Sequence, residues 1–162
     1  MPLTVRWILL LIMAVLLQTA VLPKFLLPAF KPDLLLVLMV YLALRAPAAT
    51  ALSAAYALGL LKDCLGGVYF GLHGFSFLAA SLVLKSISDR LYVHSSYLFV
   101  LAVTLTSLGV ITCNFLLLAL FSQTNGILPT FLGTLIPQLV VNAFSASLMT
   151  LIPCFARPWE AR

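Results

Sequence analysis

Long apolar runs separated by short polar punctuation organise this chain. Each run is bounded by charge, proline or glycine, and together they predict six helical spans. Span 1 covers Val5 to Leu22, span 2 Leu34 to Leu44 and span 3 Ala48 to Leu61. Span 4 covers Tyr69 to Leu84, span 5 Tyr97 to Phe121 and span 6 Phe131 to Phe155. Pro23, Pro28 and Pro32 break the stretch between spans 1 and 2. The loop from Pro23 to Asp33 still carries Phe25-Leu26-Leu27 and Phe30, so it belongs in a membrane interface with Lys24 and Lys31 at headgroup depth.

Spans 2 and 3 are short. Eleven residues rise only about 16 Å, against a hydrocarbon core of roughly 30 Å. Two arrangements answer this. Residues 34–61 form one broken helix with Arg45 in mid-membrane, or a pair of short helices whose ends, Asp33, Arg45 and Lys62-Asp63, lie below the membrane surface. Arg45-Ala46-Pro47 favours the pair, because a residue before proline avoids helix and proline lacks a donor. Gly66-Gly67 and Gly71-Leu72-His73-Gly74 form a glycine-rich re-entry into span 4. Lys85 to Ser96 is the polar internal loop, and Ser122 to Thr130 is a turn around Asn125-Gly126. Pro137 stands one turn inside span 6 as a kink, and Trp159 suits an interfacial anchor.

Composition sharpens the class. Of the 162 residues 64% are hydrophobic, against roughly 45–50% in soluble domains. Residues 1–162 therefore read as a single integral membrane domain, an all-α polytopic bundle of about six transmembrane helices, two of them short. The net charge is +5. No basic run interleaved with aromatics argues for nucleic acid, so the cations set orientation and meet membrane lipid. Arg6, Arg45, Lys85, Arg90, Arg157 and Arg162 fall on the side of the termini, and only Lys24, Lys31 and Lys62 on the other. That bias places both termini in the cytoplasm, and Asp33 and Asp63 toward the outer side. The first span resembles a signal peptide, but Gln18 stands where cleavage before Val21 needs a small residue, so it reads as uncleaved.

The polar residues within the spans must face inward, because hydrocarbon penalises an unpaired amide. Thr104, Ser107, Ile111 and Asn114 share one face of span 5, and Gln138, Asn142 and Ser145 one face of span 6. They read as glue between these spans, or as a groove for another protein's helix. Ala51, Ala55 and Gly59 recur at every fourth position and admit a close helix. Asp33 begins span 2, where a carboxylate caps free amides and meets the positive helix end. Asp63 ends span 3, where the dipole disfavours an acid. It needs a compensating group, for which Lys62 and Lys31 are candidates, and it is a site hypothesis on that ground. Catalysis has little support. His73 and His94 fall on opposite sides of this topology, and Cys64, Cys113 and Cys154 lie far apart as small hydrophobes. No metal-ligand cluster and no nucleophile–base set can be assembled, so no cofactor, no metal and no enzymatic activity is expected.

A block of motifs carries a family resemblance. Pro32-Asp33-Leu34-Leu35-Leu36-Val37, Tyr41-Leu42-Ala43-Leu44-Arg45, Gly59-Leu60-Leu61-Lys62-Asp63, Gly66-Gly67 and Gly71-Leu72 follow in order, and Leu17-Gln18-Thr19 precedes them. Together they resemble the MreD family of bacterial rod shape-determining membrane proteins, from Leu17 to about Arg90. Lys62 departs from the pattern, where an apolar residue is expected. The resemblance implies a non-enzymatic scaffold of the cell inner membrane. It implies binding to the bitopic partner MreC and work with the actin-like MreB, the glycosyltransferase RodA and a class B transpeptidase in lateral peptidoglycan synthesis. It implies partner-binding or structural roles for Gln18, Pro32, Asp33, Arg45, Gly59, Asp63 and Gly71; Gln138 and Asn142 join the candidates through the inward polar face of span 6. The family is also said to resemble the substrate-binding subunits of energy-coupling-factor vitamin transporters, which supplies a rival reading as a substrate-capture subunit. On either reading an outward hollow lies between spans 1 to 4, and replacing Asp63 by Ala is expected to weaken partner binding more than protein level.

Overall fold

A computed structural model describes residues 11–21, 24, 30–66, 69–88, 96–121 and 127–151. Six helices are present and no strand occurs among the described residues. Helix α1 spans Leu11–Ala20 and widens into a π-helical turn at Leu17–Val21. It is followed by α2, Leu34–Arg45, α3, Ala48–Gly66, and α4, Leu72–Ser88. The last two are α5, Ser96–Phe121, and α6, Ile127–Leu151. Several expectations lie outside the described residues: most of the interfacial loop, Gly67, residues 89–95 with His94, the Asn125-Gly126 turn, Cys154 and Trp159.

Two helices, not one broken one, fill residues 34–66. Ala46 is extended (φ −87°, ψ 157°), and the chain reverses there. Asp33 at the start of α2 consequently meets Lys62 near the end of α3, the mark of an antiparallel hairpin. The partner helix is not short, however. It continues past Leu61 to Gly66, because Lys62 and Asp63 both find buried partners and no longer need water. Helix α4 starts at Leu72, later than expected. Gly71 immediately before it has φ +93°, a backbone that side chains with a Cβ rarely adopt. Helix α6 starts at Ile127, inside the stretch expected to be a turn. Pro129 lies in its first turn, where a missing N–H has no carbonyl to serve. Pro137 then lies well inside α6 rather than one turn in.

A short helix sits at the centre. Helix α2 packs on α3, α4, α5 and α6 alike, and Leu35, Leu36, Val37, Met39, Val40 and Ala43 are each at most 1% exposed. A helix that is apolar all round is stable where others surround it, so α2 need not reach both membrane surfaces. Outside, the order is reversed. Met13, Leu105, Leu120, Val140 and Phe144 are each more than 60% exposed or close to it, while Asp33, Asp63, Ser107 and Asn142 are buried. Large apolar side chains outside and polar ones inside suit a hydrocarbon solvent. Ala48–Gly66 and Tyr97–Leu120 are long and apolar enough to cross it alone.

The small ladder works as its spacing predicts, and its partner is α4. Ala51, Ala55 and Gly59 are buried. A Cβ on Gly59 would stand 2.5 Å from the His73 carbonyl oxygen and 2.6 Å from the Gly74 Cα. Both are backbone atoms and cannot swing aside. Gly59→Ala is therefore expected to push α3 and α4 apart at a cost of about 1–3 kcal/mol. A melting temperature in detergent equal to that of the unaltered protein would refute this contact.

Candidate functional site

Both acids lie at one end of the bundle, and each closes a helix end. Asp33 follows the buried Pro32 and caps α2: its Oδ1 accepts from the Leu36 N–H at 3.3 Å. Its Oδ2 pairs with the Lys62 ammonium of α3. Gln18 reaches the same point from α1, with Nε2 donating to Asp33 Oδ1 at 3.4 Å and Oε1 accepting from the Leu35 N–H at 3.4 Å. Gln18 lies in the π-helical turn, a wide-turn geometry frequent at functional sites. The Asp33 N–H in turn donates to Asn142 Oδ1 of α6 at 2.7 Å, and Asn142 Nδ2 donates to Ser107 Oγ of α5 at 3.0 Å. One residue and its amide thus draw five helices together.

Asp63 is satisfied differently from expectation. Lys62 turns to Asp33, and the hydrogen bonds to Asp63 come from residues 71–74. Oδ2 accepts from the N–H groups of Gly71 (2.9 Å) and Gly74 (3.2 Å), and Oδ1 from the His73 N–H (3.1 Å). These are the free donors at the start of α4. The acid that ends α3 therefore sits on the positive end of the next helix, which is the compensation that its own dipole denies it. His73 Nδ1 lies 2.8 Å from Asp63 Oδ1. An Nδ1–H there would donate to the carboxylate. Lys62 lies 5.3 Å over the Phe77 ring, and His73 meets the same ring edge-on at 6.4 Å between centroids.

The structure places the remaining expected residues in several parts of the bundle. Gly59 and Gly71 shape the α3–α4 junction. Gln138 is half-buried on the Asn142 side of α6, and Ser76 of α4 donates to Asn114 Oδ1 of α5. Thr104 donates to its own helix at Val100. Arg45 is at the opposite end: its guanidinium is 5.6 Å over Tyr41, whose ring meets Phe99 edge-on at 6.3 Å. Lys85 joins it there, donating to the Ala46 carbonyl at 3.1 Å. The chain reading missed His73 and the Lys62–Asp33 pair. The short connection from Asp63 to Gly71 and the hairpin break at Pro47 were the available signals.

Chemically, this is a clamp. Both carboxylates are occupied by helix ends, with the Lys62 ammonium on Asp33 and the His73 ring on Asp63. Among the described residues no three His, Cys, Asp or Glu side chains gather as metal ligands. No curated protein and no solved structure matches the chain. A family model does match, that of the rod shape-determining protein MreD, over residues 2–155. The family is one of shape-determining membrane proteins and not a known enzyme family. With nearly the whole length matched, the chain belongs to the MreD family and has its role in rod-shape determination.

Proposed function

We propose that this protein is a non-enzymatic scaffold of the cell-elongation machinery, a multi-pass protein of the inner membrane that binds an MreC-like bitopic protein. Through it the scaffold supports lateral peptidoglycan synthesis with an MreB-like filament, RodA and a class B transpeptidase. The observation that carries this reading is the family match over residues 2–155. The clamp is consistent with it: Asp33, Asp63 and Asn142 are engaged inside the bundle, and the outer faces are apolar, as a surface against lipid requires. The test is purification of the tagged protein from native membranes in mild detergent, with mass spectrometry of what accompanies it. A bitopic coiled-coil protein and wall synthases are expected. Paired ATPases or a stoichiometric vitamin would replace the scaffold by a transporter subunit.

The orientation proposed with it rests on the two ends of the bundle. Arg45 and Lys85 share one end, and Asp33, Lys62 and Asp63 the other. The cationic end belongs in the cytoplasm. In a variant freed of native cysteines, a membrane-impermeant thiol reagent applied to spheroplasts should label Phe70→Cys and spare Ala48→Cys until the membrane is opened. The reverse pattern would invert the topology. Both positions are exposed.

A further inference from the structure

The polar residues of α6 do not all turn the same way. Asn142 points into the bundle, where Asp33 and Ser107 take both ends of its amide. Gln138 and Ser145, one turn before it and one after, do not follow. Both are half-buried, and among the described residues neither side chain has a hydrogen-bond partner. The enclosed polar side-chain atom left unpaired there is the Ser81 hydroxyl, so the Gln138 amide and the Ser145 hydroxyl reach the outside of the bundle. Helix α6 runs Ile127–Leu151. Gln138 is therefore about 17 Å from its start and Ser145 about 9 Å from its end. A hydrocarbon core of roughly 30 Å covers both depths. Water does not reach them there, and hydrocarbon penalises an amide that bonds to nothing. With Val141 and Leu148 the two residues form a seam, 138–141–145–148, with the three-four spacing of a coiled coil. Val141 is half-buried like them, and Leu148 is 48% exposed.

We infer that this seam binds a second copy of the chain, α6 against α6, about a two-fold axis along the membrane normal. Copies inserted with one topology hold each residue at one depth. Parallel pairing then sets Gln138 against Gln138 and Ser145 against Ser145 without adjustment. A carboxamide carries both donor and acceptor, so it completes a pair with its own image, and a hydroxyl does the same. Another protein's helix would need hydrogen-bonding groups at both of these depths, whereas a second copy supplies them by identity. Polar positions in an otherwise apolar seam also fix its register and the number of strands. Association between copies goes beyond the scaffold reading and needs only that α6 cross the membrane.

The full chain, labelled with donor and acceptor dyes, is reconstituted into phosphatidylcholine vesicles, and energy transfer is followed as added lipid dilutes the protein. Transfer that falls along a monomer–dimer curve is expected. Gln138→Leu should weaken the association about tenfold. The same variant should melt in detergent no lower than the unaltered protein, because it removes an amide that the single bundle leaves unpaired. If Gln138 were glue within the bundle, Gln138→Leu would melt lower and leave association unmoved, and that result overturns the assignment. In a variant freed of native cysteines, Val141→Cys should form a disulfide-linked dimer in native membranes under mild oxidation. Leu116→Cys, at a position of α5 that is 54% exposed, should not. Monomer at every dilution overturns the pairing. A photo-crosslinker at Val141 that captures a different protein and no second copy also overturns it, and gives the seam to that partner.

Discussion

Lys62→Met is expected to destabilise the protein severely, and Asp33→Asn added to it to restore most of the loss. Asp33 is buried, and Lys62 is the cation on its Oδ2. Removing one partner of a buried ion pair leaves an uncompensated charge, at a cost of about 3–5 kcal/mol. Set against a total stability of about 5–15 kcal/mol, that is enough to empty the membrane of folded protein. Asparagine at position 33 removes the stranded charge yet keeps an oxygen for the Leu36 N–H, so α2 remains capped. Membrane abundance by immunoblot and melting in detergent read both effects. A double variant no better than Lys62→Met alone would show that the pair is not what the bundle rests on. A recovery would give the charge a role in fixing which helix ends meet and little role in net stability, as is common for buried pairs.

Asp63→Ala should cost at least as much, and for a different reason. Three N–H groups at the start of α4 and the His73 ring lose their acceptor together. Each buried donor left unmade is worth about 1–3 kcal/mol, and the dipole of α4 loses its counter-charge as well. Protein level should therefore fall at least as far as partner binding. This replaces the expectation from the chain alone, which had binding fall first. Asp63→Asn keeps one acceptor oxygen and should be intermediate, while alanine at the neighbouring exposed Cys64 should change neither readout. Normal abundance of Asp63→Ala with lost recovery of a bitopic partner would return the residue to the partner's surface.

The spans were readable because hydrocarbon enforces apolar runs and because proline announces a break: Pro47 marks the hairpin correctly. The pairing of charges was not readable. Lys62 and Asp63 are neighbours in sequence, which suggests a mutual pair, yet consecutive residues on a helix point about 100° apart and do not face each other. Asp33 and Lys62 are 29 positions apart, and their meeting depends on the register of the hairpin. Asn142 was recognisable as an inward amide, but its acceptor oxygen serves a backbone N–H, which no side-chain pattern reveals. The turn expected from Ser122 to Thr130 was drawn too long, and Pro129 lies within it. It looks like a turn residue and is equally at home in the first turn of α6, where the structure puts it.

The helices of this bundle differ in length, and the difference is distributed by side. Helices α3 and α4, of 19 and 17 residues, rise about 28 and 26 Å, whereas α5 and α6, of 26 and 25, rise about 39 and 37 Å. A bilayer with a hydrocarbon core of roughly 30 Å meets one flank that is slightly too short for it and another that is too long. Lipid beside such a protein would thin on the α3–α4 flank and thicken, or the helices tilt, on the α5–α6 flank. Mismatch of this kind would favour neighbours with short spans on one flank and with long spans on the other, so that hydrophobic length itself becomes a means of arranging what surrounds the molecule.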